Sequence, residues 1–175
     1  MKNLVLASLC CALAGCLGYH IGPAKPYYLS DVHSIAVPTF ANNTLIPRIE
    51  VMVTDSVIRQ FQQDGTFRIT SNGNADAILK AEITRIDRSP ARSVTANVLA
   101  TSEFNLVMRV RYKLVGQDGK AIAPSAEVTG STSFFVANTS ATSVTEDVEN
   151  DEQQAIPLAA EELANHLVTQ LSEGW

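Results

Sequence analysis

The sequence predicts an α+β fold: a two-layer sandwich with two helices packed on one face of a mixed, mostly antiparallel sheet of four to five strands, in the order β-α-β-β-β-β-α. Three observations predict it. Phe104, Leu106, Met108, Val110, Tyr112 and Leu114 alternate with Asn105, Val107, Arg109, Arg111 and Lys113, the pattern of a sheet with one dry face. Ile49, Val53, Val57 and Phe61 recur every four residues, and Leu163, Leu167 and Leu171 repeat that spacing near the C-terminus. These are two helical stripes, each in need of an apolar partner, and a one-sided sheet supplies it.

The chain opens with Lys2, an apolar run over Leu4–Leu13, and then Leu13-Ala14-Gly15-Cys16. The run has the length of a signal-peptide core and is too short to span a bilayer. Small residues before the cut admit the backbone to a peptidase, and the Cys16 thiol accepts a diacylglycerol. The segment resembles the bacterial lipobox. Residues 1–15 are therefore expected as a lipoprotein signal peptide that is removed, 16–31 as a lipidated Cys and irregular tether with Gly18, Gly22, Pro23 and Pro26, and 32–175 as a single domain. Cys10 and Cys11 leave with the signal, so Cys16 becomes the one cysteine of the mature chain and no internal disulfide forms. Several acyl chains on Cys16 would make a firm membrane anchor. Leu17, where an Asp would signal retention in the inner membrane, implies by the same resemblance the outer membrane, periplasmic side.

The domain's elements follow in order. His33–Phe40 is a short β-branched strand with Pro38 near its exit. Ala41–Arg48 is a turn, with Pro47 where a first helical turn accepts it. From Arg48 the spacing predicts a helix of about four turns, ending where Gly65 takes a left-handed cap. Phe67–Thr70 is the next strand. Strand, helix and strand so spaced predict a right-handed crossover and parallel strands. Ala77–Asp87 alternates, with Leu79, Ala81 and Ile83 on one face. A loop over Ser89–Ser102 follows, long for a hairpin, with a short extended piece near Val94–Val98. The strand over Phe104–Leu114 turns back through Gly116–Lys120 to a partner over Ser125–Asn138. Thr142–Gln154 is acidic and reads either as a loop or as the exposed start of a helix; beyond Pro157 the helical stripe is plain.

The formal charge of −5 becomes −6 once Lys2 is lost, which speaks against nucleic acid as a partner. His20, His33 and His166 lack companions at metal-ligand spacing and read as solvated structural histidines. No phosphate loop or nucleophile elbow occurs, and the carboxylates at Asp151-Glu152 and Glu161-Glu162 read as a solvated helix face. The sequence thus predicts no enzyme, no cofactor and no metal. Sequons at Asn42 and Asn138 carry no weight in a bacterial lipoprotein.

Three features point to contact instead. Arg109, Arg111 and Lys113, two apart on one strand, form a positive ridge about 13 Å long. Lys80 extends it from the neighbouring strand, and Arg85, Arg88 and Arg92 cluster at the following turn. The ridge suits phosphates or carboxylates; the alternative is an ordinary wet sheet face balanced by Glu82 and other carboxylates. Val51 and Ile58 lie off the main stripe of the first helix, and the Ser89–Ser102 loop is the third feature.

"CLGYHIG", "IAVPTFANNTLIPRIE", "VTDSVIRQFQQDGTFRI" and "ADAILKAEITRIDRSP" stand in the order found in the LptE family of lipopolysaccharide-assembly lipoproteins, which the chain resembles over most of its mature length. The Cys-x-Gly-Tyr start, Val37-Pro38-x-Phe40-x-Asn42-x-Thr44 and Ala75-Asp76 carry the resemblance. It implies a non-catalytic outer-membrane lipoprotein that assists assembly of an LptD-type β-barrel translocon, plugs it, and contacts lipopolysaccharide. Lys80, Arg109, Arg111 and Lys113 are then candidate lipopolysaccharide or anion contacts. CsgG-like and penicillin-binding-protein-activator lipoproteins share the strand, N-x-T, helix, D-G-x-F opening and remain the alternative. The charged outer face of the best strand disfavours a CsgG-like membrane barrel.

Overall fold

The structure, a computed structural model, describes residues 25–92, 101–137 and 144–174, with side chains over 25–91, 103–136 and 150–174. A 3₁₀ turn over Tyr27–Leu29 precedes β1 (Ser34–Ala36), β2 (Ala41–Asn42), α1 (Ile49–Asp64), β3 (Arg68–Ile69), β4 (Ala77–Arg92), β5 (Thr101–Gly116), β6 (Ala126–Ala137) and α2 (Val144–Glu173). The sheet runs β3-β1-β4-β5-β6, with β2 also pairing with β4. β1 is parallel to β3, as the crossover through α1 predicts, and also to β4, whereas β4, β5 and β6 are antiparallel. The fold is the expected α+β class.

Alternation builds the core. Leu79 and Ile83 of β4, Leu106 to Leu114 at even positions of β5, and Val128, Phe134 and Val136 of β6 are buried. The stripe of α1, Ile49, Val53, Val57 and Phe61, is buried against them, and α2 adds Leu163, Leu167 and Leu171. Helix α2 packs mainly on β6 and against α1. Its close approach requires Gly130, where a Cβ would stand 2.1 Å from the Ala159 carbonyl oxygen. The end of α1 is closed as expected: Gly65 takes φ 74° and its N–H bonds the Phe61 carbonyl at 3.0 Å.

Several elements differ from expectation. The Ala41–Arg48 turn contains β2, and β1 is confined to Ser34–Ala36. The Ser89–Ser102 loop is largely strand: β4 continues to Arg92 and β5 starts at Thr101, while Val94–Val98 lie outside the described residues. Arg85 and Arg88 accordingly sit on β4, not at a turn. Helix α2 starts at Val144 and holds Pro157 in its interior, so the acidic stretch is the start of a helix. Val51 is half-exposed and Ile58 partly buried. Leu29, ahead of β1, is fully buried in the core. No helix among the described residues is long and apolar enough to cross a membrane.

Candidate functional site

With the helices on one face, the other face of β4 and β5 is open, and the antiparallel register fixes which charges meet. Lys80 stands opposite Lys113, Glu82 opposite Arg111, and Arg85 opposite Arg109. The register shifts between Ile83 and Arg85, so Thr84 is bulged, with its hydroxyl on the Arg109 carbonyl at 3.2 Å. That bulge brings Arg85 and Asp87 onto the open face and turns Arg88 to the helix side, where it pairs with Glu152 of α2.

The four predicted cations lie together but differ in partnership. Arg111 pairs with Glu82 at 2.9 Å, and Glu82 also accepts a 3.4 Å bond from the Asn43 amide. Arg109 lies 3.7 Å from Asp87 and 3.9 Å from Glu127 of β6, and Asp87 is shared with Arg85 at 2.6 Å. Lys80 and Lys113, both exposed, form no ion pair with any described residue. Both line a groove of about 310 Å³, together with Glu82, Arg111, Ala41 and Ser125.

Like charges directly opposite on a sheet destabilise it. An anion seated between the two ammonium groups relieves that repulsion, and each lysine offers three donors. Exposed ion pairs such as Arg111–Glu82 contribute little to stability, so the neighbouring guanidinium is available to an incoming phosphate at small cost. Alternation in the sequence suffices to find Arg109, Arg111 and Lys113. It misses Arg85 because a bulge resets the alternation; it places Glu82 on the wet face as a balancing carboxylate, which pairs with Arg111, but not Asp87 and Glu127 beside Arg109, because register is not readable from one strand.

The remaining candidates are dispersed. Cys16 lies outside the described residues. His33 and His166 are exposed; His166 Nδ1 lies 2.8 Å from the Thr129 carbonyl oxygen and Glu162 accepts from the Ser131 N–H, so both fasten α2 to β6.

Helices sealing one sheet face, with a charged groove open on the other, define a two-layer α+β domain. Residues 32–171 match the model of the LptE family, lipopolysaccharide-assembly, and the chain belongs to that family of non-catalytic lipoproteins. No curated protein sequence matches it. Among solved structures, it is similar to a neuraminyllactose-binding hemagglutinin homolog from Helicobacter pylori, 13% identical over 89% of this chain and 90% of that one, with a TM-score of 0.51. It is also similar to the PelC dodecamer from Paraburkholderia phytofirmans, 16% identical over 85% and 93% with a TM-score of 0.49. A minor lipoprotein from Acinetobacter baumannii is 14% identical over 81% and 94%, with a TM-score of 0.49. The first of these likenesses shows the fold.

Proposed function

We propose that this chain is an outer-membrane lipoprotein, acylated at Cys16 and held on the periplasmic side, that assists assembly of an LptD-type β-barrel, plugs it and contacts lipopolysaccharide on its way to the outer leaflet. Family membership supports the assembly role. The observation that carries the contact is the Lys80–Lys113 rung: two exposed lysines directly opposite on neighbouring strands, lining one groove and without an ion-pair partner among the described residues, in a mature chain that is acidic overall. Lipid A and core sugars carry the phosphates that such a rung suits. Arg109 and Arg111 stand next along the ridge and can exchange their carboxylates for phosphate.

The test is lipopolysaccharide binding by the full lipidated protein in detergent, comparing the native chain with the Lys80→Glu, Lys113→Glu double variant. Loss of two charge-assisted contacts should weaken binding at least about tenfold, the equivalent of about 1.4 kcal/mol. Binding should weaken with salt in the native protein and much less in the variant. Equal affinity of the two proteins would remove the rung from the account.

A further inference from the structure

We infer that Tyr27 and Tyr28 form a membrane-contact surface that lays this end of the domain against the headgroup–acyl boundary of a phospholipid bilayer. The inference rests on acylation of Cys16 and goes beyond it: an anchor tethers a domain but does not orient it. Tyr27 is 94% exposed and Tyr28 52%, and they are the one adjacent pair among the large apolar or aromatic side chains exposed in the described residues.

The turn that carries them is fixed. Leu29 N–H bonds the Pro26 carbonyl at 2.9 Å and Ser30 N–H the Tyr27 carbonyl at 3.2 Å. Leu29 is buried in the core, and Lys25 Nζ donates to the Val32 carbonyl at 3.0 Å while standing 4.9 Å over the Phe67 ring. On the far side Pro26 lies against Gly174, where a Cβ would meet Pro26 Cγ at 2.8 Å. The backbone that carries the two phenol rings is thus braced, with Tyr27 almost fully exposed and Tyr28 half-exposed. An apolar ring with a polar tip is the side chain that favours the membrane interface, and bracing the backbone beneath it beforehand lowers the entropy lost on contact.

Chain length supplies the occupant. Eight residues separate Cys16 from Lys25, a span of about 30 Å at full extension. The turn is therefore the described element nearest the anchor along the chain. The turn is flanked in the chain by one cation and one carboxylate, Lys25 and Asp31, so net attraction to anionic lipid does not drive the contact. The rings do, and the contact is insensitive to salt.

The test uses the lipidated full chain purified from membranes, with Trp175→Phe to remove the one native Trp and Tyr27→Trp as reporter. It is incorporated into phosphatidylethanolamine–phosphatidylglycerol vesicles with and without brominated lipid. A second protein carries the reporter as Val51→Trp, on the first turn of α1. The expected result is that both proteins float with the vesicles. Emission from the Tyr27→Trp protein is then blue-shifted and quenched by brominated lipid at low and high salt alike, whereas the Val51→Trp protein is quenched only by aqueous acrylamide. Flotation with the Tyr27→Trp reporter open to acrylamide and untouched by brominated lipid would overturn this inference while leaving the anchor intact, as would equal quenching at both positions. Failure to float, matching a Cys16→Ser control, would overturn the anchor and the inference with it.

Discussion

Asn42 carries more of the local structure than its place in an N-x-T sequence suggests. Its amide donates to the Ile46 carbonyl at 2.8 Å and to Glu50 at 2.9 Å, and its oxygen accepts from the Thr44 N–H at 2.9 Å and the Thr44 hydroxyl at 2.7 Å. The motif is a loop clasp between β2 and α1. Asn42→Ala should cost about 1–3 kcal/mol in urea unfolding, since it leaves partly buried partners unpaired. Asn43→Ala, which loses one exposed 3.4 Å bond, should change little. Asp76, in the Ala-Asp motif, accepts from the Ser34 hydroxyl at 2.8 Å and from the His33 and Ser34 N–H groups at 3.0 and 2.8 Å. Those donors, the Ser34 hydroxyl first, hold its pKa below the ordinary 3.8. A lowered folded-state pKa contributes stability above about 3.8 that is lost as pH falls through the folded value. Asp76→Asn should therefore lower the thermal midpoint at neutral pH, and its gap to the native protein should close in acid. Both motifs are visible in the sequence. What they hold is not, because their partners lie on other segments.

Elements were legible where the chain marks its own ends. Helix α1 carries an unbroken buried stripe and stops on Gly65, so spacing alone places it. Helix α2 does not announce its start, because Pro157 has the look of a first-turn proline. In the structure Pro157 is exposed, and the Gln153 carbonyl it leaves without a helical donor belongs to an exposed residue that water can reach. Pro90 misleads in the same way. It ends no strand, because beyond Ile83 the described part of β4 pairs with β5 alone and forms an edge, where a missing N–H costs little. The crossing of α2 over β6 rests on one residue. Gly130→Ala should cost about 1–3 kcal/mol by overpacking, read as a lower urea midpoint, because the clash is with helix backbone and not with a flexible side chain.

At the scale of the whole molecule, two amphipathic helices close one side of the sheet and leave its charged side open. The unrelieved Lys80–Lys113 repulsion is a cost the isolated domain bears. Lys113→Gln should hold or raise the thermal midpoint at low salt, and the difference should fade as salt screens the pair. The anionic contact proposed for this rung would relieve that cost. Its family adds the setting of lipopolysaccharide assembly. The most direct measurement is purification of the tagged, lipidated protein from detergent-solubilised outer membranes, with identification of what accompanies it. The account predicts a large LptD-type β-barrel in about equal amount. Recovery of a peptidoglycan synthase, of a self-assembled ring, or of no companion would contradict it.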